Sequence, residues 1–193
     1  PFSNDKTALK AAINNLQPEN WTAAYTGMKW GVALLDPSAQ PVVNKLIQQG
    51  NLSSEFTGWP RSWTAGRTRK ILVLMSDGRN TIQYRPNADG YASQTPDYWN
   101  ETGFPSYWLE KAIDNENDGK GDDYLEDICD AAKASSNAII YTVGFELQTS
   151  ADAAAALSNC ASSPSTAYLV EGVNIDLAFA NIAAQIENLK LTR

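Results

Sequence analysis

The sequence predicts an α/β fold, a doubly wound parallel sheet of which only about three strands are present, and three observations predict it. The run Ile71-Leu72-Val73-Leu74-Met75 is continuously apolar and stops at Ser76-Asp77-Gly78, as a strand buried on both faces does. A second run, Ala138 to Phe145, repeats the pattern. From residue 69 onward, strands alternate with segments of helical period, which implies right-handed crossovers and a sheet covered on both sides.

Each element has its own justification. Leu9, Ala12, Ile13 and Leu16 recur at helical spacing and Pro18 ends the run, which gives an amphipathic helix. A second helix follows Asn20-Trp21-Thr22, with Tyr25, Met28, Val32 and Leu35 on one stripe and Asp36-Pro37 as its break. Residues 38 to 68 read as irregular, apart from a helical turn near Val42 to Ile47. The Ile71 strand is then expected at the centre of the sheet. Residues 79 to 123 hold many aromatics but few periodic apolar positions, the pattern of a long insertion with at most short helices. Leu125, Ile128, Cys129 and Ala132 mark the next helix, and Ala138 to Phe145 the second strand. A short helix over Ala151 to Leu157 places Cys160 just beyond its end, and Thr166 to Val170 reads as the third strand. The last helix carries Ile175, Ala178, Phe179, Ile182, Ile186 and Leu189 on one face, with Asn174 as its N-cap.

Length and charge narrow the function. At 193 residues and 43% hydrophobic content the chain forms one domain spanning residues 1–193, with an insertion at about 79–123. The formal charge of −7 opposes nucleic acid and anionic lipid, since such binding rests on Lys and Arg. The longest apolar stretch falls well short of the roughly 20 residues that cross a bilayer. Pro1-Phe2-Ser3-Asn4 shows neither a starting Met nor an export signal, so the expectation is a natural N-terminus upstream. Cys129 and Cys160 are the only cysteines and there is no histidine. Zinc and Cys–His catalysis are thereby disfavoured, and the pair is either two buried thiols or one disulfide.

Ligands of a doubly wound sheet collect at the carboxyl ends of its strands, where Asp77 stands. Taken alone, Ser-Asp-Gly reads rather as a solvated turn, and Thr22 as a helix N-cap. The acidic stretch Asp114, Glu116, Asp118, Gly119 and Asp122 follows the first half of an EF-hand calcium loop, but the twelfth position is Leu125. Calcium there would make the chain a calcium-stabilised binding module. Tyr84, Tyr91, Tyr98, Trp99, Phe104, Tyr107 and Trp108 crowd the insertion, either as a sticky surface or as a satellite core. An enzyme would have to be a hydrolase working with carboxylates alone, because the commonest proton-transfer residue is absent. The expectation is a binding domain, not an enzyme.

Taken together, the segments carry a family resemblance. Leu74-Met-Ser-Asp-Gly-Arg-Asn80 resembles the fourth-strand motif of von Willebrand factor A domains, and Thr22-Ala-Ala-Tyr-Thr-Gly27-Met-Lys-Trp-Gly31 resembles their threonine loop and following helix. Asp5 to Ile13, Cys129 to Lys133, Ile140 to Phe145, Asn159 to Ser162 and Asn188 to Leu191 are similar, more narrowly, to the C-terminal half of TadG-like proteins of bacterial Flp pilus systems. The resemblance implies a Rossmann-like sheet and a metal-ion-dependent adhesion site. Oxygens including those of Thr22 and Asp77 would hold Mg²⁺, and a carboxylate of a protein ligand would complete the shell. It also implies a Cys129–Cys160 disulfide and a place on the periplasmic or extracellular side of the envelope, among pilus or envelope components. Membrane attachment would come only through an N-terminal anchor outside this chain. The family's Asp-x-Ser-x-Ser loop occurs nowhere in the 193 residues, so the site is incomplete and the Ile71 strand is expected to lack the neighbour that carries it.

Overall fold

Three parallel strands, β1 (Lys70–Ser76), β4 (Ala138–Phe145) and β5 (Ala167–Val170), form one sheet in the order β1-β4-β5. The computed structural model describes residues 3–17, 22–95, 97–99, 106–134, 138–148 and 150–191. Register runs Lys70 to Ala138 through Ser76 to Gly144 on one side of β4, and Thr142 to Ala167 through Phe145 to Val170 on the other.

The helices are α1 (Lys6–Asn14), α2 (Ala24–Leu35), α3 (Gln40–Gln48), α4 (Ala88–Ser93), α5 (Asn115–Asp118), α6 (Lys120–Ala134), α7 (Ala151–Cys160) and α8 (Ile175–Leu191). Successive β-strand residues face opposite sides, and β4 shows this directly. Ile140 joins Met28 of α2, Leu125, Cys129 and Ala132 of α6, and Cys160 of α7 on one face. Tyr141 and Val143 join Ile182 of α8 on the other. The sheet is thus covered on both sides, as expected for an α/β fold.

Three expectations need correction. The Ile71 strand is not central: β4 is, and β1 is an edge strand with Val73 and Met75 each 44% exposed. A continuous apolar run reports what a strand is built to bury, not whether a neighbour lies beside it. The stretch 79–123 is not a loop with helices only. It contains an antiparallel hairpin of β2 (Ile82–Pro86) and β3 (Leu109–Asp114), with a register shift at Gln83/Tyr84 and an Arg85–Glu110 ion pair at 2.7 Å. Cys160 is the last residue of α7 rather than a residue beyond it, and α6 begins at Lys120, ahead of its first apolar position.

The free edge of β1 opens onto a groove of about 620 Å³ walled by Gly31, Leu34, Val42, Leu46, Ile71 and Val73. α2 approaches closely here: a Cβ on Gly31 would lie 3.0 Å from Leu72 Cδ2.

The opposite, amino end of β1 is locked by a polar cluster. Lys70, 4% exposed, donates from Nζ to Leu35 O at 2.6 Å and lies 3.6 Å from the Trp63 ring centroid. Burial pushes its pKa down, and Asp36 works against that shift. Trp63 Nε1 donates to Asp36 Oδ2 at 2.8 Å. Hydrogen bonds from Ser38 and Trp63 hold Asp36 down at about 2. A carboxyl group depressed in the folded state stabilises the fold above its unfolded pKa, near 3.8, and that contribution is lost as pH falls toward 2. Trp63→Phe removes one of these donors and is expected to cost about 0.5–1.5 kcal/mol. An NMR titration should then show the Asp36 midpoint rising; an unchanged midpoint would refute the assignment.

Candidate metal-binding rim

The carboxyl end of β1 turns sharply at Ser76-Asp77-Gly78. Ser76 is buried, its hydroxyl donates to Gly78 O at 2.8 Å, and it accepts from Gly78 N at 3.3 Å. That small closed turn leaves the Asp77 side chain exposed at the rim.

Thr22 reaches the same rim from 55 positions away in sequence. Its hydroxyl lies 4.0 Å from where a Cβ on Gly78 would stand, so the glycine leaves room between the two segments. The backbone of Thr22 is clamped in both directions. Its N–H donates to Thr81 Oγ1 at 2.9 Å, while its carbonyl accepts from Thr81 N at 3.0 Å and Gln83 Nε2 at 3.1 Å.

The structure does not use Thr22 as a helix cap. Ala23 is the N-cap of α2 and makes no side-chain hydrogen bond. Asn80 supplies the missing acceptor from another part of the chain, with Oδ1 taking the Ala24 N–H at 2.8 Å. The same side chain, 2% exposed, donates from Nδ2 to Asp122 Oδ1 at 2.7 Å. Asn115 Nδ2 donates to Asn80 O at 3.2 Å and to Asp122 Oδ2 at 3.1 Å, and Asn115 Oδ1 accepts from Asp122 N at 3.0 Å. Asn80, Thr81, Gln83 and Asn115 went unmarked as site residues. The one local signal for them was Asn-Thr straight after a turn, residue types that readily bond to backbone.

The acids of the EF-hand-like stretch are not gathered into a cage. Asp114 Oδ2 accepts from Lys111 Nζ at 2.8 Å, Asp118 accepts from Lys120 N at 3.1 Å and pairs with its Nζ, and Asp122 is held by Asn80 and Asn115. Residues 115–118 form a helical turn closed by Gly119 at φ 66°. The side chain of Glu116 lies outside the described residues. Among the described residues, no three of His, Cys, Asp and Glu stand close enough to hold a metal.

The rim is nonetheless anionic. Helices run antiparallel to the strands, so their first turns collect at this edge, and Asp122 and Asp123 of α6 and Asp152 of α7 sit there. A cavity of about 390 Å³ beside it is lined by Asp122, Asp123, Glu126, Asp152 and Arg79. Carboxylates at helix N-termini are favoured by the helix dipole, and together they bias the edge toward cations.

Thr22 and Asp77 offer a hydroxyl and a carboxylate, the hard oxygen donors Mg²⁺ prefers, but only two of the six positions an octahedral ion fills. The donor chemistry fits and the count leaves positions for further ligands.

The aromatic residues of the insertion divide between both readings. Tyr84, Tyr91 and Tyr107 are exposed, whereas Trp99 packs against Gly90 at 3.3 Å from an ideal Cβ; Phe104 lies outside the described residues. Cys129 and Cys160 are joined as a disulfide inside the core. Among the described residues, no helix is long and apolar enough to cross a membrane. No family model, no curated protein and no solved structure matches the chain.

Proposed function

We propose that this chain is the C-terminal portion of an exported von Willebrand factor A domain, of the kind found in TadG-like pilus proteins. It binds a protein ligand through a divalent cation and catalyses nothing. The observation that carries the reading is the meeting of Thr22 Oγ1 with the Asp77–Gly78 turn across 55 positions of sequence. Two features support it further. The edge of β1 is the one where the strand bearing the Asp-x-Ser-x-Ser loop would pair, and the groove beside it is apolar. The buried disulfide suits an oxidising compartment such as the periplasm or cell exterior.

In this reading Thr22 and Asp77 supply two oxygens to Mg²⁺, the first-strand loop supplies others, and a ligand carboxylate takes the open position. The bound cation would provide the positive charge that draws an acidic side chain to an otherwise anionic edge. Specificity then falls to the surrounding surface, including the exposed tyrosines of the insertion.

Isothermal titration of the chain with Mg²⁺, repeated with Ca²⁺, tests the site. Wild type is expected to give a binding heat with Mg²⁺ that Asp77→Ala and Thr22→Val lose, with circular dichroism unchanged. Equal heats in wild type and Asp77→Ala would remove the proposal, and a Ca²⁺ heat indifferent to Asp77 would move the metal to the acidic loop.

A further inference from the structure

β2 follows the Asp77–Gly78 turn within five residues, whereas Thr22 and the end of β3 reach this junction from elsewhere in the chain, and Asn80 bonds to the segments beside both. We infer that Asn80 is the positioning residue of the rim, and that the chain Asn115–Asp122–Asn80 makes the hairpin and the rim a single mechanical unit. The metal half of this inference rests on the function proposed above; the coupling half does not.

The geometry is closed at every step. Asn80 uses its carbonyl oxygen on the first turn of α2, its amide on Asp122 at the start of α6, and its backbone carbonyl on Asn115 at the end of the hairpin. Two regions far apart in sequence, the start of α2 and the 115–122 stretch, therefore meet on one residue. Its neighbour Thr81 fixes the backbone of Thr22, so the position of the Thr22 hydroxyl follows wherever the 80–81 pair is held. Water does not compete, because Asn80 is 2% exposed.

Gly121 shows how tight the junction is. A Cβ there would lie 2.8 Å from Asn115 Oδ1 and 3.0 Å from Asn80 Cβ. The first turn of α6 can approach the two asparagines only because it carries no side chain at that point. Asn115 bonds both to Asp122 and directly to Asn80 O, so a loosening there is expected to reach Ala24 and Thr22 through Asn80.

Such a residue acts on a ligand set without touching it. Removing partners that orient metal ligands typically weakens metal affinity about 10–100-fold, and opening a locally cooperative unit raises amide exchange throughout it.

The test is native-state amide exchange on the whole chain, with Mg²⁺ titration as a second arm. Asn115→Ala is expected to speed exchange at Ala24 and Thr81, not only at Asp122, by about tenfold or more. Asn80→Ala should do the same, and Asn80→Asp should fail because it sets two carboxylates face to face. The exchanged pair Asn80→Asp with Asp122→Asn keeps a donor and an acceptor at each contact, and should restore slow exchange. It also guards against either single variant failing to fold. Acceleration confined to Asp122 in Asn115→Ala, or no rescue by the exchanged pair, would overturn the coupling. In the titration, Mg²⁺ affinity should drop about tenfold or more in Asn115→Ala; unchanged affinity would overturn the positioning role. Absence of any Mg²⁺ binding by wild type would defeat the metal reading alone and leave the exchange result to decide the coupling.

Discussion

Opening the Cys129–Cys160 bond is expected to lower the stability of this chain by about 3–4 kcal/mol. The bond closes a loop of 31 residues between α6 and α7, and a loop of that length removes about this much chain entropy from the unfolded state. Both cysteines are fully buried beside Leu125 and Ile140, so reduction leaves their packing in place while releasing the tether. Urea unfolding with and without reductant measures the difference. A midpoint shift equivalent to less than about 1 kcal/mol would mean that the unfolded chain is already restricted, or that the bond strains the native state enough to offset its gain.

The second large effect is expected at the free edge of β1. Val73 and Met75 expose apolar side chains along a strand that, among the described residues, has no neighbour on that side, and the groove beside them is walled by Leu34, Val42 and Leu46. An unpaired apolar edge is a template for another strand. With that edge unpaired, the chain is expected to associate with itself, and the contact should survive high salt because it is not electrostatic. Sedimentation velocity over a range of concentrations should show a mass rising above 21.0 kDa. Val73→Lys with Met75→Lys, which places charges where edge strands commonly carry them, should hold the chain at monomer mass. Concentration-independent sedimentation of both proteins at monomer mass would refute the expectation.

How far the fold was legible depended on how local its causes are. β4, β5, α2, α6 and α8 announce themselves through apolar spacing, because the face each one buries is written into its own residues. The β2–β3 hairpin does not. Ile82 to Pro86 and Leu109 to Asp114 are short, half polar and separated by a long stretch instead of a tight turn, so neither carries a pattern that points to the other. Lys70, a charge at the start of a strand in sequence, is buried under Trp63, a contact set by tertiary packing that no local pattern announces.

The rim was legible in the same uneven way. Asp77 stood out only through the resemblance of the Leu74–Asn80 segment, since Ser-Asp-Gly after a strand by itself reads as a solvated turn. Thr22 was ambiguous by itself, since a hydroxyl just ahead of a helix is usually its cap. That choice turned on Asn80, which caps α2 from 56 positions away, and no window of sequence around Thr22 contains it.

The pinning of the hairpin at both ends has a consequence for how such a protein can diversify. At the far end Asn87 donates from its backbone to Trp108 O at 2.7 Å and from its side chain to Tyr107 O at 3.1 Å; at the near end the strands are tied into the rim through Thr81 and Asn115. Whatever chain runs between Asn87 and Trp108 starts and finishes at anchored points, and lengthening a loop with fixed ends carries a penalty that grows only slowly with its size. Changes in the length of that stretch are expected to leave its two anchored ends, and the rim beneath them, in place. On the function proposed above, new binding preferences would arise by exchange of that stretch while Thr22 and Asp77 stay as they are.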